Sequence, residues 1–206
     1  VLMLVLLALI GGEKLKYFNS LSADFFAWLC KKMANCDASH DMTHVITVAN
    51  TTHKITKTWL DSDLQCAAFL TALCHELCDR KYVNNTQAAI SDLECALRKH
   101  QCCAEHIIRM VVTVVPTISF SRRVCNGEPT LTENLMQIYL AVSDADYLES
   151  LGAIGVVRTC IYQSIHAKAS DAVTTTLMNE VVYMNGSVAV RFPIGVFGFG
   201  FMDASV

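Results

Sequence analysis

The chain has 206 residues, 53% of them hydrophobic and 17% charged, with a formal net charge of -3. That length suits one domain, or one domain with a tail, with a sizeable core. The composition excludes a disordered chain, and the slightly acidic balance excludes the basic footprint of a nucleic-acid binder. A small anionic ligand would need a local cation, either a metal ion or a few placed Lys and Arg side chains.

Val1 to Ile10 is one apolar run closed by Gly11-Gly12. It is far short of the roughly 20 residues that span a bilayer. It has the length of a signal-peptide core but lacks a basic start and a small-x-small cleavage pattern. Residues 1–12 are therefore set apart as an apolar N-terminal segment from a domain over 13–206, with no membrane association expected. Leu15 to Met33 places apolar residues at 15, 18, 21, 25, 26, 29 and 33, which predicts a helix. Asn35 to Ser39 is polar and rich in cap formers, so the next helix should start near Ser39, with His44, Val48 and Ile55 along one stripe. Leu64 to Leu77 reads as another helix. Thr86 to Val115 reads as one or two more, and Thr130 to Val142 and Gly152 to Ile165 complete the helical set. No proline interrupts Glu13 to Val115.

The ten cysteines follow no disulfide framework, and no CxxC pair occurs. Cys66, Cys74 and Cys95 sit at apolar helical positions and read as small core residues. Cys74 and Cys78 flank His75 and Glu76, which leaves a zinc site as a lesser alternative. A reducing cytoplasm is the default compartment. Near the C-terminus, Asn185-Gly186 between two apolar runs is a local hairpin signal over 181–190.

Three segments carry candidate chemistry. In DASHDMTHVITVA (37–49), His40 and His44 are four apart, so on a helix both would face one side and could share a metal. A surface histidine pair is the alternative. In AAFLTALCHELCDRKY (67–82), His75 and Glu76 end an apolar stretch. Burying such a pair needs a compensating partner, for which a divalent ion is suited. The alternative is a solvated helix end. In LAVSDADYLESLGAIGVVRT (140–159), Asp144 and Asp146 suit a hard cation, or Asp144 could instead cap a helix.

The order of these segments, His then His-acid then Asp, resembles the HD superfamily of metal-dependent phosphohydrolases. The first segment is similar to the D-x-SHD-x-x-H opening of small bacterial and fungal HD hydrolases, the second to their AALLHDI-x-D-x-KY, and the third to VQDADRLDAIGAIGIAR. Ile118 to Ser121, ISFS, matches another short segment, and the resemblance spans about residues 13 to 166. It implies an all-α, HD-domain helical bundle, to which the local Asn-Gly signal would add one short hairpin near the C-terminus. It implies a divalent metal (Mn, Mg, Co or Ni) on His44, His75, Glu76 and Asp146, and hydrolysis of a phosphate ester or anhydride. The implied substrate is a small phosphorylated molecule, with nucleoside triphosphate pyrophosphohydrolysis as the specific expectation. A homodimer is compatible with this reading.

In that scheme the metal lowers the pKa of a bound water. Asp41 or Asp79 would accept the proton, and Lys81, Arg80 and Arg158 are the cations available for phosphate oxygens, Arg80 reading more simply as surface charge. Position 76 departs from the family, with Glu in place of Asp. Tyr147 stands where the family has Arg, and Thr47 replaces another Arg. These departures keep two alternatives open: an HD fold that binds nucleotide or metal without turnover, and a helical interaction protein whose acidic clusters are caps. Over MNEVVYMNGSVAVRF (178–192), alignment to the family's terminal helix argues against the hairpin, and helix is the preferred expectation there.

Overall fold

The computed structural model describes residues 21–34, 36–79, 82–119, 123, 126–151 and 155–160, together with the backbone of four short strands between 181 and 199. The apolar run at 1–10, Arg80, Lys81 and residues 161–165 lie outside the described residues.

Helix α1 (Ala23–Met33) starts where the Ser22 side chain accepts the Phe25 amide at 3.1 Å, and it buries Phe25, Phe26, Leu29 and Met33 on one face. Helix α2 (Met42–Thr56) begins at Asp41, whose carboxylate accepts the amides of Thr43 and His44. The expected start near Ser39 is thus displaced by a better cap, and His40 lies in the turn before the helix. His44, Val48, Thr52 and Thr56, spaced by four, form the buried stripe of α2, while Ile55 packs partly buried against the core.

Helix α3 (Ser62–Cys74), capped by Asp61, is the centre of the molecule. Every residue from Ala67 to Cys74 is buried, so its last two turns have no solvent face. It packs against α2, α5 (Glu105–Val114) and α6 (Glu133–Glu149). The helix expected through Leu77 tightens at its end into a 3-10 turn, His75–Cys78. That change of pitch sets the direction in which His75 and Glu76 leave the helix.

The Thr86–Val115 region divides into α4 (Thr86–Lys99) and α5. Between them Gln101 adopts φ 50°, the Cys102 amide donates to the Leu97 carbonyl at 3.1 Å, and the Gln101 amide donates to Arg98 at 3.1 Å. This is a Schellman close with Gln where Gly is usual, a break that composition does not announce.

Helix α6 runs to Glu149, past the expected end at Val142. Asp144 and Asp146 therefore sit in its body, and the N-cap alternative for Asp144 is excluded. Residues 155–160 are helical, as expected for part of Gly152 to Ile165. Among the described residues no helix is long and apolar enough to cross a membrane.

The described elements through residue 160 are all helical. Beyond them, Val181–Met184 (β1) pairs antiparallel with Val188–Arg191 (β2), in the register Val181↔Arg191 and Met184↔Val188. The hairpin expected over 181–190 thus prevails over the helix inferred by alignment, with residues 185–187 outside the described residues. A second ladder, Ile194–Gly195 (β3) with Gly198–Phe199 (β4), adds one hairpin more than expected.

Candidate metal centre

The three helical segments converge. His44 enters from the first turn of α2, His75 and Glu76 from the end of α3, and Asp146 from the last turns of α6. One ligand atom from each of His44, His75 and Asp146 fits within 4.8 Å of the others, across about 100 residues of chain. His44, His75 and Glu76 are 3%, 3% and 5% exposed, which rules out a solvated helix end for the His-acid pair. The Asp146 side chain keeps 26% of its surface, so the site opens on the α6 side.

Hydrogen-bond roles decide what this cluster needs. His75 Nδ1 lies 2.7 Å from the Ala72 carbonyl, an acceptor only, so Nδ1 carries the hydrogen and Nε2 presents a lone pair. That lone pair stands 3.2 Å from Glu76 Oε1, another acceptor. His44 Nε2 lies 3.5 Å from Glu76 Oε1 and 3.3 Å from Asp146 Oδ1, neither aligned as a hydrogen bond. The Nε2 atoms of both histidines are buried without a hydrogen-bond partner. Two acceptors this close inside a protein require a cation between them, whether a proton or a metal ion.

The ionisation of the groups expresses the same demand. Burial works against a charge on His75, but Glu76, Asp146 and the Ala72 carbonyl outweigh it, and the imidazole is pushed up to about 9. Burial likewise opposes ionisation of Glu76, yet His75, His44 and His40 hold it well below the usual carboxylate range. Asp146 is held at about 2, with His44 and His75 overcoming its desolvation. Nearby, burial and the charges of Glu76, Asp37 and Asp79 push the Cys36 thiol up to about 12. The site is a concentration of negative potential with imidazoles at its centre. Those donors, two imidazoles and hard carboxylates, fit a divalent first-row ion.

The remaining sequence candidates are placed as follows. Asp41 Oδ1 accepts the Thr43 amide at 2.9 Å and the His44 amide at 3.1 Å, so this carboxylate orients the turn that carries His44. Asp41→Ala should cost about 1 kcal/mol through loss of the cap, whereas Asp41→Asn should be nearly neutral in a thermal melt. If Asp41→Asn keeps stability but abolishes turnover, Asp41 is a proton acceptor as well as a cap. Asp79 follows the 3-10 turn, and its carbonyl accepts the amides of Tyr82 at 3.0 Å and Val83 at 3.1 Å. Arg158 Nε donates to the Ser39 carbonyl at 2.7 Å, and Nη1 lies 3.8 Å from Glu149, so its guanidinium braces the turn before α2.

Sequence reasoning missed the network beneath that turn. Asp37 accepts from the Ser39 amide at 2.8 Å, from the Ser39 hydroxyl, and from the Tyr82 hydroxyl at 2.6 Å, across 45 residues. Asp37 opens the first motif and Tyr82 closes the second, so the signal lay in the quoted segments. Their contact was invisible because spacing says nothing about which loops meet. His40 and His44 do approach, with ring centroids 5.8 Å apart, but through the turn and not along a shared helix face.

No protein-family profile matches the sequence, and no curated protein matches it. Solved structures do match. A Lactobacillus plantarum protein aligns with TM-score 0.53 and 20% identity over 74% of this chain and 65% of its own. Bacillus subtilis YpgQ aligns with TM-score 0.51 and 18% identity over 69% of this chain and 64% of its own. YpgQ in complex with ADP aligns with TM-score 0.49 and 20% identity over 68% of this chain and 66% of its own. The chain thus spans just under two thirds of the first two relatives, and at these identities the likeness to them is one of helical fold.

Proposed function

We propose that this chain is a divalent-metal-dependent phosphohydrolase acting on a small phosphorylated substrate, most specifically a nucleoside triphosphate cleaved to release pyrophosphate. The observation that carries this reading is the buried meeting of two acceptors, His75 Nε2 and Glu76 Oε1, 3.2 Å apart, beside His44 Nε2 and Asp146 Oδ1, 3.3 Å apart. The motif resemblance supports the reaction class.

His44, His75, Glu76 and Asp146 would hold the ion. When bound, such an ion lowers the pKa of a coordinated water and neutralises charge on a phosphoryl group. The chain's own residues do the rest. The Ala72 carbonyl fixes the His75 tautomer, Asp41 fixes the first turn of α2, and Arg158 holds the turn at Ser39. The proton leaving the attacking water would pass to the Asp79 carboxylate, since Asp41 Oδ1 already accepts two amides. Lys81, two residues further on, supplies a cation for phosphate oxygens.

The test screens nucleotides and sugar phosphates against Mn²⁺, Mg²⁺, Co²⁺ and Ni²⁺, reading phosphate and pyrophosphate separately. Pyrophosphate release that depends on the ion supports the proposal. Stoichiometric metal with no turnover on any of them favours the second reading, a metal- or nucleotide-binding HD fold that has lost catalysis. Glu76 is the residue that motivates that second reading, because its extra methylene shifts a carboxylate in a site built for Asp. Glu76→Asp should raise metal affinity or turnover, and Glu76→Ala should lower metal occupancy. A chain in which Glu76→Asp changes neither and Glu76→Ala keeps full metal does not use Glu76 as a ligand.

A further inference from the structure

His40 is singled out by the sequence but is not among the four residues the motif pattern assigns to the ion. Its side chain is 15% exposed, and it sits in the turn between Asp37 and α2. Nδ1 lies 2.7 Å from Ser39 Oγ and 3.3 Å from Asp37 Oδ1. Asp37 is itself anchored, since Tyr82 donates to its other oxygen at 2.6 Å and the Ser39 hydroxyl donates to Oδ1. Arg158 secures the same turn from outside through the Ser39 carbonyl at 2.7 Å.

The Ser39 hydroxyl spends its one hydrogen on Asp37. It therefore meets His40 as an acceptor, and Nδ1 is the donor. The consequence is the same as at His75. His40 Nε2 presents a lone pair, and it faces Glu76 Oε1 at 4.0 Å. A carboxylate behind Nδ1 with Nε2 turned toward a site is the arrangement that orients a metal-binding imidazole. The spacing also fits, because two donors each about 2.0–2.2 Å from one ion stand at most about 4.4 Å apart. The Glu76 oxygen is thus within 4.0 Å of His40, 3.5 Å of His44 and 3.2 Å of His75. An aspartate at 76 would be shorter by one methylene and would reach less far toward His40.

We propose that His40 is a further metal donor, entering on the Glu76 side of the His44, His75 and Asp146 cluster and oriented by Asp37, Ser39 and Tyr82. The proposal rests on the metal-site reading given above. The longer Glu76 and the inward His40 then form one device: the carboxylate extends toward an imidazole that is ready to share its ion.

The test is binding of Co²⁺ to the full chain, followed by titration and by the visible d–d spectrum, for the parent, His40→Ala, His40→Gln, Asp37→Asn and His44→Ala. Affinity should fall at least 10- to 100-fold in both His40 variants, with an altered d–d spectrum, and about tenfold in Asp37→Asn. Pulsed electron paramagnetic resonance of the Cu²⁺-loaded parent, which needs no variant to fold, should count three coupled imidazoles. Parent affinity and spectrum in the His40 variants, with loss of Co²⁺ in His44→Ala, overturns the role of His40 and leaves the site reading intact. Two coupled imidazoles in the parent does the same. Undiminished Co²⁺ binding by His44→Ala overturns the site reading and the His40 proposal together.

Discussion

His44→Ala is expected to abolish stoichiometric metal binding and to lower phosphohydrolase turnover by more than about 100-fold, since even outer partners of metal ligands are worth 10–100-fold. The reason is geometric. His44 Nε2 adjoins both carboxylates, 3.5 Å from Glu76 and 3.3 Å from Asp146, and so links the two sides of the cluster. Removing it leaves two carboxylates to share an ion with one histidine fewer. The residue is 3% exposed, so solvent cannot readily take the place of the missing donor. Metal content per chain and turnover on the best nucleotide, measured on a variant with an unchanged circular dichroism spectrum, give the check. Full metal in the folded variant would exclude His44 as a ligand.

Phe69→Ala is expected to cost about 3–5 kcal/mol, the range for truncating a fully buried phenylalanine. Phe69 is 1% exposed and lies in α3, within the stretch Ala67 to Cys74 that is buried on every side. The helices that line it, α2, α5 and α6, cannot close the void without moving the elements that deliver His44 and Asp146. For a chain of this size that cost lowers Tm by roughly 6–20 °C, and total stability of a domain is only about 5–15 kcal/mol. A thermal melt showing a shift below about 3 °C would mean that α3 is not the packing centre.

The helices were legible where their apolar spacing was regular. Of the helix expected over 15–33, the part from Ala23 forms, and Phe25, Phe26, Leu29 and Met33 lie on its buried face. Boundaries were less legible, because competing caps decide them. Asp41 accepts two amides and so starts α2 after His40, although Ser39 offered a hydroxyl earlier. The break at Gln101 was hidden for a related reason: a side chain at φ 50° stands where Gly would have marked the turn. Near the C-terminus, Val181–Met184 and Val188–Arg191 pair as strands where a loose alignment favoured helix.

For the site, order along the chain was enough to bring His44, His75 and Asp146 into one cluster, with Glu76 beside both imidazoles. What order could not convey was the use of each remaining group. Arg158, expected near phosphate, grips a backbone carbonyl, and Asp41 caps the helix that carries His44. The Asp37–Tyr82 contact joins loops 45 residues apart, one before α2 and one after the turn that ends α3.

Anomalous diffraction from crystals loaded with Mn²⁺ tests the central claim most directly. The account predicts a strong peak bounded by His44 Nε2, His75 Nε2 and an Asp146 carboxylate oxygen, with Glu76 Oε1 within bonding reach and each nitrogen contact near 2.0–2.3 Å, by analogy with other first-row ions. A chain that is saturated with Mn²⁺ and shows its peak elsewhere, with His75 Nε2 still facing only Glu76, would contradict it.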